Sequence, residues 1–502
     1  MEPVQQCHCG ASVLRYMLLE HGNSHMSSNN SRPLMTVVLA AGKGTRMSSS
    51  ITKVLHLLRG KPLILHAVGQ ARSVSSAGII VVLGHQAERV RSLLTAVDPG
   101  LEFVLQEPQL GTGHAMMQCI GRLEGFPGDV LVLSGDVPML TRNTIERLLR
   151  AHLETKAVLS VLTSYPPDPV GYGRIIRDRA GFPSAIREQK DLLHGEDEIL
   201  EINTGIYVFN AAFLTRELPL LSNNNAQVEY YLTDLVEAAY REDKPVGIFS
   251  LDDPLEALGI NTHPELATME AAMRQTTLKK LMESGVRMID PSTTYVDDTV
   301  TMEGEVTLYP MVCIYGATSV ETGTVIHPGS VITDSKIGKN VVIHPHSVIS
   351  EAIIEDDANV GPFARLRPEA RIGRNAKIGN FVEVKKSSIG EGSKVSHLTY
   401  IGDSTIGSNA NVGAGSVTCN YDGFSKHHTI IEDGVFVGSG TMMVAPVTLG
   451  KNSMVAAGST ITKDVPADAL ALGRSRQENK DGWTIAWRRK IAESKSDKKE
   501  NS

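Results

Sequence analysis

The sequence predicts two architectures in succession: an α/β domain with a Rossmann-like, mostly parallel sheet, then a parallel β-helix of hexapeptide repeats. Three observations predict this. From 36 to about 262, short apolar runs alternate with helical stretches, the pattern of a sheet covered by helices. From Val320 to Ile461, aliphatic residues recur every six positions, the repeat of a triangular coil. Glycine is abundant, 45 of 502 residues, while aromatics are only 5%, which suits a core of regular small and β-branched units.

Taken in chain order, residues 1–34 are polar and read as an extension, with Met35 a candidate native start just before the first strong strand, Thr36–Leu39. Cys7, Cys9, His21 and His25 are soft ligand types, but two cysteines one residue apart do not have the usual zinc spacing, and no metal is expected there. The runs Ile79–Leu83, Phe103–Leu105, Val130–Leu133, Ala157–Leu162 and Ile206–Phe209 are expected as strands of a domain at 35–262. Apolar Leu266, Met269, Met273, Leu281 and Met282, with a stop at Gly285, predict a helix over 266–284 within a connector at 263–286. The β-helix domain is expected at 287–474, each anchor pointing inward and glycine or another small residue at the tight corner. Ten of the 24 anchors are followed directly by Gly, and four steps are five residues long. Between Thr418 and Ile431 the spacing is 13, so Cys419–Phe424 is expected to leave the coil as a functional loop. Residues 475–502, with Arg488, Arg489 and Lys490, read as a polar, basic tail.

Composition removes several classes of function. Lys plus Arg is 49 against 56 for Asp plus Glu, a formal charge of -7, which leaves no electrostatic footprint for nucleic acid or a membrane surface. No apolar run reaches about 18 residues, and no basic flank leads into a hydrophobic stretch, so neither membrane insertion nor secretion is expected. Five scattered cysteines form no disulfide framework and suit a reducing, cytoplasmic setting.

The first strand runs into LAAGKGTRM at 39–47, a small-residue loop followed by cations. Backbone amides approach phosphates closely only where side chains are absent, and Arg46 and Lys53 would neutralise the charge. Neither common nucleotide fingerprint fits, because Val37 and Met47 stand where glycines belong. Asp136, in GDVP at 135–138, follows a buried strand at the end where ligands bind, and one carboxylate plus substrate phosphates commonly holds Mg²⁺. Gln106 and Gln109, before LGTGHA at 110–115, are uncharged groups suited to a base edge. Further small and polar positions follow in GYGR at 171–174, Glu188 and INTGI at 202–206. In the coil, His397 offers a general base, with Arg365, Arg367, Lys385, Lys386, Tyr400 and Asn411 nearby in sequence. His327, His344 and His346 read as solvated surface residues.

Together these motifs resemble the sugar-phosphate nucleotidyltransferases. Over 35–474, with RLRP at 365–368, GNFVEVKK at 379–386, SHLTYIGD at 396–403 and GAGSVTCNYDG at 413–423, the chain resembles one family more closely. That family is the bacterial bifunctional N-acetylglucosamine-1-phosphate uridylyltransferase and glucosamine-1-phosphate N-acetyltransferase. The resemblance implies a left-handed β-helix, Mg²⁺ for uridylyl transfer, and UTP and acetyl-CoA as co-substrates. It places nucleotide and UDP-sugar contacts on Leu39, Ala40, Ala41, Gly42, Lys53, Gln106, Gly111, Thr112, Gly135, Asp136, Gly173, Glu188, Asn203 and Asn261, with Asp136 and Asn261 as the metal pair. Lys53 and Arg46 are expected to act in uridylyl transfer and His397 as the acetyl-transfer base. Glucosamine 1-phosphate contacts carry over to Arg367, Lys385, Tyr400, Asn411, Asn420 and Tyr421, and acetyl-CoA contacts to Ala414, Ser439, Ala457 and Arg474. Two departures stand out: Thr52 where the family often has Pro, and Ser134 where it has an aromatic; neither removes a ligand. The resemblance also implies a homotrimer, with acetyl-transfer sites shared between chains.

Two other readings compete. A regulatory scaffold could keep the same architecture, though Lys53, Asp136 and His397 argue against it. A nucleotidyltransferase with a purely structural β-helix would release no CoA.

Overall fold

The structure, a computed structural model, describes residues 32–500. The Cys7, Cys9, His21 and His25 group and most of the N-terminal extension lie outside the described residues. The chain divides into two compact units, through Met273 and from Arg274. The boundary falls inside the helix His263–Glu283, which Gly285 ends with a φ of 103°. This helix starts three residues ahead of the expected Leu266.

In the first unit a mixed sheet has the order Val246–Ser250, Leu159–Ser164, Ile202–Asn210, Asp129–Ser134, Leu34–Ala40, Gly78–Leu83, Glu102–Leu105. Only Ile202–Asn210 runs antiparallel to its neighbours in this path, and the hairpin Arg174–Arg187 hangs from it. The first strand shows why the sheet is buried on both sides. Val37 faces one core with Val132 and Phe209, while Val38 faces the other with Leu131 and Ile64. This strand begins at Leu34, paired with Asp129, two residues ahead of the expected Thr36. Pro33 O accepts from Asp129 N, so residues 33 and 34 already belong to the sheet. From the first strand the chain moves outward on one side and then crosses to Asp129–Ser134 on the other. That reversal opens a crevice at the strands' carboxyl ends.

The second unit is a three-sided stack of parallel strands, its faces holding 11, 10 and 9 strands. All of the six-spaced anchors from Val320 to Ile461 are buried, Thr418 included, its Oγ1 taking the Gly402 N–H at 2.8 Å. The coil begins earlier than Val320: Val296, Met302, Leu308 and Ile314 continue the same spacing backward, and strands run from Arg287 to Ala471. The expected role of the glycines needs correction. The corners that need a left-handed backbone often carry other residues, among them Asn340, Asp357, Asn375 and Asn409. Glycine follows an anchor for a different reason, because successive coils touch there. A Cβ at Gly379 would lie 1.9 Å from Ser396 O, and one at Gly413 2.5 Å from Ser439 N. The four five-residue steps coincide with left-handed residues Asp334, Glu351, Lys386 and Asp403 at one corner. The excursion spans 420–428, longer than expected at its far end, and Thr429–Ile431 rejoins the stack in register with Ser404–Ile406. The expected tail is in part a helix, Trp483–Glu500, where the Trp483 and Trp487 rings stack at 5.7 Å across one turn.

Candidate active sites

In the first unit the loops after the two central strands meet. Leu39 pairs with Ser134, and Leu39 O accepts from Gly135 N at 2.9 Å, so the loops at 39–47 and 135–138 leave the sheet side by side. Gly44, at a φ of 64°, lets the first loop pass against Lys53, where a Cβ would sit 2.5 Å from Lys53 Cβ. Lys53 Nζ is paired with Asp136 Oδ2 and donates to Asn261 Oδ1 at 3.0 Å, while Arg46 Nη2 donates to the same oxygen at 2.8 Å. Asn261 is held by a capping box at the next helix: Glu265 N–H donates to Thr262 Oγ1, and Glu265 Oε2 accepts from Asn261 N and Thr262 N. A carboxylate and a carboxamide oxygen thus converge on one point shared by an ammonium. Hard oxygen donors of this kind fit a divalent cation. Among the described residues no group of three His, Cys, Asp or Glu could hold a metal.

Beside this point lies a cavity of about 210 Å³ lined by Leu39, Thr112, Asp136, Gly173, Glu188, Asn203 and Asn261. Glu188 is anchored by Thr233 Oγ1 at 3.3 Å, and burial raises its carboxyl above the usual range. Asn203 donates to the Tyr207 hydroxyl at 2.7 Å, and burial, reinforced by Glu188, pushes that hydroxyl up. Gln106 is buried and donates to Gly111 O at 2.9 Å; Gly111 is required because a Cβ would meet Tyr230 O at 2.6 Å. Ala40 and Ala41 are buried and Gly42 is exposed. Thr52 N–H donates to Gln86 Oε1 at 3.3 Å, a tie that a proline there could not make.

In the second unit His397 ends the strand Lys394–His397, stacked on Asn380 one coil below, whose Oδ1 contacts His397 Nδ1. With that oxygen accepting, Nδ1 carries the proton and Nε2 keeps its lone pair. The same corner continues upward as one ladder: Gly415 N donates to His397 O, Gly440 N to Ala414 O and Gly458 N to Ser439 O. Ala457, one coil above Ser439, extends it, and Gly473 O, bonded by Thr460 N, brings Arg474 to its end. His397 and Arg474 therefore share one edge of one chain and need not come from different chains. On the adjoining face Tyr400 stacks on Glu383, which accepts from Arg367 at 2.9 Å. Lys385 contacts Lys426, and this hydrogen-bonded, like-charge contact holds Lys385 below the ordinary lysine value. Asn420 is buried and donates to Asp403 at 2.6 Å, whereas Tyr421 is exposed. Asn411 lies on another face, in register with Lys394 and Phe436, and one chain does not bring it to the face of Tyr400.

The MobA-like NTP transferase domain family matches residues 36–196. The bacterial transferase hexapeptide (six repeats) family matches 428–463, and the GMPPB C-terminal domain family 348–443. Across the whole chain, the bifunctional protein GlmU of Geotalea uraniireducens (strain Rf4) is 47% identical over 452 residues, 90% of this chain and 99% of that protein. The chain belongs to the bifunctional GlmU family. The GlmU proteins of Trichlorobacter lovleyi (strain ATCC BAA-1151 / DSM 17278 / SZ) and Shouchella clausii (strain KSM-K16) are 46% and 45% identical, over 89% of this chain and 97% and 98% of their own. Within this GlmU-family chain the strand stack is the left-handed hexapeptide β-helix. The sequence reading passed over Asn380, Glu383, Lys426, Tyr207 and Thr233. Asn380 was findable, because it stands 17 residues before His397, one coil earlier at the same corner. Lys426 was not, since it returns to the site only through the fold of the excursion.

Proposed function

We propose that the chain makes UDP-N-acetylglucosamine by two transfers for cell-envelope synthesis. The β-helix domain, at 287–474, moves acetyl from acetyl-CoA to glucosamine 1-phosphate. The N-terminal domain, at 35–262, then moves uridylyl from UTP to N-acetylglucosamine 1-phosphate and releases pyrophosphate. The observation that carries this reading is the corner ladder: a histidine with a free Nε2 at the foot of an edge of small residues, in a chain whose other unit holds a phosphate-type cation cluster.

At the acetyl site His397 Nε2 takes the proton of the amine as it attacks the thioester, and the CoA thiolate leaves. Arg367, Lys385 and Lys426 receive the sugar phosphate, with Tyr400, Asn420 and Tyr421 around the sugar and Asn411 supplied by a neighbouring chain of the trimer. The ladder of Ala414, Ser439 and Ala457 lies along acetyl-CoA, with Arg474 towards its nucleotide end. At the uridylyl site the attacking sugar phosphate is already anionic, so positioning and charge neutralisation do the work. Arg46 and Lys53 sit against the triphosphate, Gln106, Gly111 and Thr112 face the base, and Gly173, Glu188 and Asn203 hold the sugar. Asp136 and Asn261 would hold Mg²⁺, which supplies Lewis-acid neutralisation of the α-phosphate and the leaving pyrophosphate. A cytoplasmic homotrimer fits the flat, regular faces of the coil; among the described residues no helix is long and apolar enough to cross a membrane.

Incubation with glucosamine 1-phosphate, acetyl-CoA, UTP and Mg²⁺, reading free CoA and pyrophosphate separately, tests the proposal. His397→Ala should lower CoA release by about 10²–10⁴-fold and spare pyrophosphate release from N-acetylglucosamine 1-phosphate. Asp136→Asn should do the reverse and change the metal requirement. Loss of both activities in either variant, or no CoA release by the native chain, counts against the reading; sedimentation tests the trimer.

A further inference from the structure

The third face of the coil carries a hollow that neither transfer uses. Its outward positions run in register through Ile353, Arg371, Ser388, Thr405 and Ile430. Ser388 and Thr405 are short, so the row sinks between Arg371 and Ile430. On one side stands the left-handed corner column Glu351, Glu369 and Lys386, with Glu369 N donating to Glu351 O and Lys386 N to Pro368 O, each at 3.1 Å. On the other stands His428, at the end of the excursion, its Nε2 3.0 Å from Thr405 Oγ1. The hollow, open to solvent, has a volume of about 390 Å³.

The charges around it are sorted along the coil axis. Glu351 and Glu369 lie on the lower coils, Lys386 one coil higher and His428 above Thr405, with Arg371 on the face between them. Among the described residues none of these five makes an ion pair. Carboxylates at one end suit an ammonium, and an ammonium, an imidazole and two hydroxyls at the other suit a phosphate, with the Arg371 guanidinium, on the coil of Glu369 and one below Ser388, between the two ends. From Glu351 to Lys386 is two coil steps, on the order of 10 Å, a span that a small ligand with charged ends bridges.

We propose that this hollow is a second, non-catalytic site for a zwitterionic phosphate monoester of the amino-sugar phosphate class. Its choice of ligand rests on the acetyl-acceptor reading above, since Lys386 adjoins Lys385 around the corner. An occupant touching His428 also steadies the excursion that carries Asn420 and Tyr421, so the hollow reports acceptor supply to the loop beside the acetyl site.

The test is calorimetric titration of the full chain with glucosamine 1-phosphate in the absence of acetyl-CoA. The paired variant Arg371→Ser, Glu369→Gln should bind one equivalent per chain fewer than the native protein. Lys385→Ala should lose a different equivalent, and the one remaining in it should weaken at least tenfold when Arg371→Ser is added. Inorganic phosphate alone should bind Lys385→Ala, again dependent on Arg371. CoA release at saturating acceptor, measured on the paired variant, should stay within twofold of native, which shows an intact fold. Equal stoichiometry in the native and paired-variant proteins overturns the proposal, as does a single native equivalent that vanishes in Lys385→Ala. Neither result bears on CoA release, so a failure of the acetyl-transfer reading stays separate.

Discussion

Asn380→Asp changes one atom and should move the acid limb of acetyl transfer. In the native chain the carboxamide oxygen accepts from His397 Nδ1 and fixes the tautomer without adding charge. A carboxylate there also accepts that proton but attracts the imidazolium. With charge centres about 4 Å apart, Coulomb's law gives ~1 kcal/mol in water and ~4 kcal/mol at an effective dielectric of 20. His397 is exposed, so the value belongs near the lower bound, and ~1.4 kcal/mol is one pH unit. The sign follows: the charged form is favoured, the base stays protonated to higher pH, and the acid limb of kcat/KM for CoA release rises by about one unit. Above that limb, activity should recover. Asn380→Ala should lower the rate about tenfold at every pH, the cost of one lost orienting hydrogen bond of ~1.4 kcal/mol, without moving the limb. Pyrophosphate release serves as the internal control. An acid limb that stays in place in Asn380→Asp, or moves down, refutes the assignment of Nε2 as the base held by Asn380.

Gly379→Ala forces a Cβ to within 1.9 Å of Ser396 O, next to the residue that holds His397. It should cost about 3 kcal/mol in denaturant unfolding of the coil and at least a hundredfold in CoA release; native-like values in both would show that the coils are not in contact there. Asp234 opens the helix Asp234–Arg241, and burial, with Glu237 and Asp191 adding, pushes its carboxyl up to about 6. Since the folded value exceeds the unfolded one, its contribution is full below about pH 4 and is lost as pH rises through 6. Asp234→Asn should therefore raise stability at pH 7 by ~1 kcal/mol, after allowance for partial exposure and the favourable helix N-terminus. It should do nothing at pH 4; equal Tm changes at both values would show another cause. Removing residues 1–31 should leave both activities intact, whereas removal through 34 takes away the Leu34 pairing with Asp129 and should lower Tm; indistinguishable melting of the two truncations would contradict that.

How far the sequence could be read depended on whether a residue's role is set by its own neighbourhood or by a distant one. The six-residue period located the core of the coil because each anchor is buried by the same local geometry, and it would have located Val296 to Ile314 as well. The glycines after anchors were legible as a signal but not in cause. A backbone conformation belongs to one residue, whereas the contact between Gly413 and Ser439 exists only once the coils are stacked. In the first unit Asp136 was legible from the strand before it, but not its pairing with Lys53 across 83 positions. The Arg371 to His428 hollow was invisible for the same reason: its walls come from four coils and a loop.

The excursion at 420–428 leaves the stack and returns without changing its phase, because Ser404 pairs with Thr429 and Ile406 with Ile431 as if nothing intervened. To the scaffold the segment is an insertion, tied back at its ends by Asn420 to Asp403 and by His428 to Thr405. Closing a flexible loop of twice its length would cost only ~0.6 kcal/mol more, a small tax on a stack held by buried aliphatic rows. Substrate preference at the acetyl site can thus be rewritten by grafting loops between these two strands, provided that Asn420 and its bond to the buried Asp403 are kept.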